Sequence, residues 1–364
     1  MSSFWNILRP KANPEPQMLR LGIRAAGLCC AVGYHLRAAS CALRANMDHF
    51  QESEFQSRLG DPILVARLPE TNLWGQERLT RWLTYAIKDC LQHMPELDTS
   101  KIPLLWIAPE PGRNGTASAE ADDTKLHWYA EIFDLAVSQL DMQFHPSSAV
   151  LPQGRAGLAA ALAQAMGLLQ DAQHPYVLLA GVDSYLDAAT INHYLHDERL
   201  QVPGNSDGFI PGEAAAAVLL HKVDATDAGV HITGYGQGQE SGRPDGSVPS
   251  RAQGLSQAIR AAFSNSTQSY TEMEFRISDQ NGEAFFAREA ANAMTRVAPT
   301  GGQKLPLLTM ADCLGEVGAA TGPAMLAYLS KLMPHNASPG QSGLLHLAND
   351  DGLRCAVVLQ YTST

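Results

Sequence analysis

The stretch "NSDGFIPGEAAAAVLLHK", residues 205–222, decides how the chain is read. A polar turn carrying Asp207, Gly208 and Gly212 runs through Phe209 and Glu213 into small and aliphatic residues. A short apolar run bounded by turn residues reads as a buried strand. An acid at its first position, Glu213, needs hydrogen bonds inside the fold, and the two glycines mark backbone that turns or packs closely.

Outward from this stretch, strand and helix signals alternate. Residues 176–186, "YVLLAGVDSYL", form a second buried strand, and 157–172, "GLAAALAQAMGLLQDA", a helix buried on every face. Upstream, 21–33 is a strand, 35–50 a helix, 101–110 a strand, 122–140 a helix and 142–150 a short strand. Residues 1–17, with three prolines and no period, are a loose leader or docking tail. After the link at 223–229 the order starts again: strand 230–238, helix 250–266, strand and turn 274–285, helix 315–333 and a closing hairpin 343–361. The expectation is an α/β protein with mainly parallel pairing, built from two similar halves at 18–225 and 229–364.

Composition narrows the function. With 26 basic against 37 acidic side chains the net charge is −11, and no basic run occurs, so nucleic acid and anionic membranes are poor partners. The run 21–33 contains Arg24 and is too short to cross a membrane. Six cysteines lack CxxC spacing and read as small buried residues in a reducing, cytoplasmic compartment. No HxxxH or HExxH pair suggests a metal, and "GYGQGQ" (234–239) lacks the acid a dinucleotide site needs, so no cofactor is expected. His193 and His196 fall in a polar loop.

The segment "DGFIPGEAAAAVLL" resembles the "DGF-x-x-GEGAG-x-x-x-L" segment of the β-ketoacyl synthases of the thiolase superfamily, and "VLLAGVDSYL" resembles the strand that precedes it there. The resemblance implies a five-layer αβαβα fold of two similar halves, usually a dimer whose strand before the nucleophile helix pairs across a two-fold axis. It also implies an enzyme with a cysteine at the start of a buried helix, two assisting histidines and two oxyanion-binding amides.

None of these groups stands at its matching place. "PQGRAG" (152–157) puts Gly154, or in a register shifted by one Gln153, where the cysteine belongs. "NGE" puts Asn281 at the first histidine, "GEVGAATG" puts Glu316 at the second, and "NDDG" (349–352), an ordinary hairpin turn, replaces the oxyanion loop and brings in Asp350 and Asp351. The scaffold residues Asp207, Gly208, Phe209, Gly212 and Glu213 are retained. The chain therefore reads as a ketosynthase-like pseudoenzyme that binds a protein partner, as a non-catalytic subunit in a homo- or heterodimer or as an adaptor. Its "GRAG…NGE…GE" pattern also resembles accessory proteins of bacterial toxin-secretion operons. The alternative is an acyltransferase or thioester hydrolase with a relocated nucleophile. A pocket between the halves, with Gln153, Arg155, Glu316, Asp350 and Asp351 around it, is expected to remain, although an acyl ligand is not favoured there.

Overall fold

The computed structural model describes residues 6–7, 20–110, 112–113, 119–224, 227–300 and 304–363. Strands β1 (Asn6–Ile7) and β2 (Arg20–Cys30) precede α1 (Leu36–Arg44), the hairpin of β3 (Phe50–Gln56) and β4 (Pro62–Ala66), and α2 (Gly75–Leu91). Then come β5 (Leu104–Ala108), α3 (Ala119–Leu140), β6 (Ala149–Pro152), α4 (Leu158–Leu168), β7 (Val177–Ser184), α5 (Ala188–His196) and β8 (Glu213–Val223). The remaining elements are β9 (Gly229–Gln239), α6 (Gln253–Ser264), β10 (Phe275–Ser278), α7 (Ala284–Val297), β11 (Leu307–Thr309), α8 (Ala311–Leu314), α9 (Thr321–Leu332), β12 (Ser342–Ala348) and β13 (Leu353–Thr362).

The internal repeat is visible in the strand order. One run reads β6-β5-β7-β8-β2 and the other β11-β10-β12-β13-β9, so each set of five strands lies in the order third, second, fourth, fifth, first. The two runs join edge to edge where Leu21 and Gly22 pair with Ile232 and His231. Helix α4 packs on β5 and β7 on one side and on β9 and β13 on the other, while α9 lies against β2, β7, β8 and β9. Helices α2 and α3 cover the outer face of the first run, and α6 and α7 that of the second. The result is five layers, helix-sheet-helix-sheet-helix. The all-round apolar sequence of α4 follows from its place in the middle layer, where Leu158 and Leu162 are fully buried and each contributes about 2 kcal/mol of transfer free energy.

Four expectations need correction. Pairing is mixed, because β7 and β8 run antiparallel with Ser184 opposite Glu213. The segment between them leaves and re-enters the sheet at the same end, so alternation of strand and helix does not impose a parallel crossover. The strand expected at 142–150 is confined to Ala149–Pro152. Before it a turn forms in which the Ser148 hydroxyl donates to His145 O and accepts from Leu104 N. His193 and His196 belong to α5, whose N-terminus is capped by Asp187 accepting from Thr190 N at 2.9 Å. In the expected loose leader, Asn6 and Ile7 pair in parallel with Ala149 and Val150 of β6; its other residues lie outside the described ones.

Candidate functional site

The opening motif ties the two halves together. Its backbone forms a short parallel bridge to Glu316: Glu316 N donates to Ile210 O at 2.8 Å, and Gly212 N donates to Glu316 O at 2.9 Å. A Cβ on Gly212 would fall 2.2 Å from Leu314 O, so this approach admits only glycine. Asp207 accepts from Ala284 N at 2.7 Å, at the start of α7. Phe209 packs against the Tyr185 and Tyr194 rings. Glu213 is fully buried and satisfied: it accepts from Leu68 N, the Ser184 hydroxyl and the guanidinium of Arg78 on α2. Such complete pairing is what a buried carboxylate requires.

Gly154 follows β6 with φ +60°, and its N–H donates to Ala108 O at 3.0 Å. The space a side chain would take is already filled. A Cβ on Gly154 would fall 2.2 Å from Oε2 of Glu110 and 3.1 Å from Nδ2 of Asn349. Glu110, two residues beyond β5, is 7% exposed. Burial pushes its carboxyl up to about 7, only partly opposed by the Arg113 guanidinium, and Asp350 pushes it further up.

Beside Gly154, Arg155 reaches Glu316 through Nη1, Asp279 through Nε at 3.2 Å and Asp350 through Nη2 at 3.3 Å, and its Nε also donates to Ala348 O. Asn281 Nδ2 donates to Glu316 at 2.8 Å and to Glu283 at 3.1 Å. Arg199 donates to both oxygens of Glu283 and both of Asp350, and Tyr194 OH adds a bond to Asp350 at 3.2 Å. Burial alone would raise the Asp350 pKa, yet Arg199 and then Arg155 hold it below the ordinary carboxylate range. Burial outweighs Arg155 at Asp279, which is pushed up to about 6.

The residues Arg155, Asn281, Glu316 and Asp350 are therefore brought together, but as an interlocked set of ion pairs and not as the walls of an open pocket. The void beside Glu316 and Asp279 measures about 10 Å³. Gln153 takes part through its carbonyl, which accepts from Asn349 Nδ2. Asp351 stands apart on the exposed turn, where it accepts from Leu353 N. The turn 349–352 is more than a hairpin connection: Asn349 is fully buried and its Oδ1 accepts from Ala156 N at 2.7 Å, fixing the residues after Gly154.

Five of the six thiols are buried, and the sixth, Cys41, is exposed on α1, where Arg44 donates to it. Burial pushes Cys30 up to about 12 and Cys313 up to about 11, and raises Cys29, Cys90 and Cys355 as well. His346, buried on β12 opposite Ser278 of β10, is lowered to about 3 by burial and by Arg276. Glu110, Arg78, Arg113, Asp183, Arg199, Asp279 and Asn349 were not singled out from the sequence. The acid at the end of the apolar run "LLWIAPE" was the available signal for Glu110, and the acid inside "VLLAGVDS" that for Asp183.

No protein-family model and no curated protein matches the chain. Solved structures do match. A β-ketoacyl synthase from Burkholderia phymatum has a TM-score of 0.72 at 14% identity, with 95% of this chain and 100% of that chain covered. The fold is that of a ketosynthase. A type II PKS acyl-carrier protein in complex with its hexaketide-bound ketosynthase gives 0.75 at 13% identity, covering 95% and 100%. A ketosynthase in complex with its chain length factor, from Xenorhabdus doucetiae, gives 0.66 at 13% identity, covering 96% and 100%. On this ketosynthase fold the paired residues around Gly154 lie where β5, β6, the 205–212 motif, the 279–283 turn and the 349–352 turn converge. Among the described residues no helix is long and apolar enough to cross a membrane.

Proposed function

We propose that this chain is a ketosynthase-like pseudoenzyme that acts by binding a protein, as the non-catalytic partner of an active ketosynthase chain. The observation that carries this reading is Glu110 in the side-chain space of Gly154. A thioester carbonyl brought there would meet a carboxylate and no thiol, and developing negative charge would be repelled. Arg155, which could have countered that charge, is committed to Glu316, Asp279 and Asp350. The pairing of a ketosynthase with a chain length factor in one of the similar structures supports a ketosynthase as partner. A cytoplasmic location fits the six unpaired cysteines.

The test has two arms. After incubation with acyl- and malonyl-thioesters the intact mass stays that of the free chain. Tagged protein recovered from its own cells brings down a ketosynthase in equal amount. Recovery of a secretion component instead would make the chain an adaptor, and a stoichiometric acyl adduct on any residue would overturn the proposal in both forms.

A further inference from the structure

A second feature lies on the other side of Glu110. A cavity of about 310 Å³ opens between the start of α2, α3 and the ends of β5 and β7, a volume in the range of small-molecule sites. Trp74, Leu79, Pro109, Trp128, Tyr129 and Leu186 give it a largely apolar and aromatic wall. Its two arginines and the acids Asp183 and Asp187 are already engaged. Arg113 forks onto both oxygens of Asp183 and lies 4.4 Å over the Tyr185 ring. Arg78 serves Glu213, and Asp187 accepts from the Thr190 amide and hydroxyl. Glu110 lines the cavity, and its carboxyl accepts from its own backbone N–H but, among the described residues, is in salt-bridge distance of no cation.

We infer that this cavity is a binding site for a small organic ammonium, a primary amine on an aromatic or aliphatic body, whose charge pairs with Glu110. A buried carboxylate held only by its own backbone N–H is costly, and a ligand cation supplies the charge-assisted bond that no side chain makes there. The aromatic wall suits the same ligand, because indole and phenol faces attract ammonium groups while covering an apolar body. Carboxylate and thioester ligands are selected against, since both arginines on the wall are spent and Glu110 and Asp183 are among the residues that line it. Burial holds the Glu110 carboxyl at about 7, against Arg113 and Arg155, so the acid is half-protonated near neutrality and an ammonium beside it would ionise it fully. This inference is independent of whether the chain has lost catalysis, which the acyl-adduct assay reads separately.

The experiment is calorimetric titration of the full-length chain with 2-phenylethylamine, 3-phenylpropanoate and 2-phenylethanol, above the titration of Glu110. The amine binds, and the acid and the alcohol bind at least about thirtyfold more weakly. Glu110→Gln, an isosteric change that keeps the cavity shape, lowers amine affinity by a similar factor without lowering the melting temperature. Three results would overturn the inference: no amine binding, acid binding as tight as amine binding, or a Glu110→Gln protein that binds the amine like the unaltered chain.

Discussion

The carboxylate of Glu110 and the α-carbon of Gly154 share one space, with Oε2 standing 2.2 Å from where a Cβ on Gly154 would be. The strand register explains why these two meet. Strands β5 and β6 are parallel with Ala108 opposite Pro152, and Glu110 and Gly154 are each two residues further along. Residues two beyond a paired position leave neighbouring strand ends together and on one face. An acid at 110 and a side chain at 154 are thus mutually exclusive in this backbone.

Gly154→Cys should therefore fail as a restoration of chemistry. The cysteine meets both a positive φ and Glu110, and the chain loses about 2–4 kcal/mol of stability. No acyl-enzyme forms with acyl-thioesters, as intact-mass measurement will show. Adding Glu110→Ala returns part of the lost stability, so the pair is non-additive in a double-mutant cycle. Additive effects in urea unfolding would contradict the shared-space finding.

The pH dependence of stability carries the mark of the same residue. Glu110 titrates at about 7 in the folded chain against an ordinary 4.5, so the folded state holds its proton more tightly than the unfolded state. Its stabilising contribution is complete below about 4.5 and is lost as pH rises through about 7. Asp279 acts in the same sense up to about 6. His346, lowered to about 3, acts oppositely, contributing stability above 6.5 that is lost as pH falls. Subtracting the Glu110→Gln variant isolates Glu110: relative to the unaltered chain, the variant gains roughly 3 kcal/mol between the acid and the neutral end of that window. Urea unfolding at a series of pH values measures this, and a flat difference would contradict it.

Much of the scaffold could be read from the chain itself, because its signals are local. The apolar run 214–220, the all-apolar helix α4 and the closing hairpin β12–β13 each announce their burial within a few residues. Helix α2 is legible in the same way, through Leu79, Trp82, Leu83, Ala86, Ile87 and Cys90 at three- and four-residue spacing. The site was less legible, since its meaning lies in pairs far apart in sequence. Glu213 demands a partner, yet nothing near it points to Arg78. Glu110 reads as a charge ending a strand until β6 is laid beside β5. Arg199, in an undistinguished polar stretch, acquires its role when α5 and the 205–212 motif bring it against Glu283 and Asp350.

Arg199 is expected to be among the most costly single truncations. Arg199→Met leaves Asp350 and Glu283 facing each other with a cation removed from between them, a loss of about 3–5 kcal/mol. By contrast Asp207→Ala, which removes one exposed capping bond to Ala284 N, costs about 1 kcal/mol. The comparison, made by urea unfolding of both variants, separates a stapled interior from a surface cap. Similar costs for the two would show that the ion-pair set is not holding the halves.

The outer edge of β6 sets the last prediction. β5 occupies one side of β6, and on the other, among the described residues, Asn6 and Ile7 of β1 pair with Ala149 and Val150. A sheet edge left with unpaired N–H and C=O groups is a template for another chain, and the ketosynthase resemblance implies, as an expectation, that this strand pairs across a two-fold axis. If β6 is the interface, β1 competes with the incoming strand. A chain lacking residues 1–17 should then dimerise, or bind the proposed ketosynthase partner, at lower concentration than the full chain. Sedimentation velocity over a concentration series measures this directly. If the shortened chain keeps the same assembly state and partner affinity as the full one, the interface lies elsewhere and β1 is only a cover for the sheet edge.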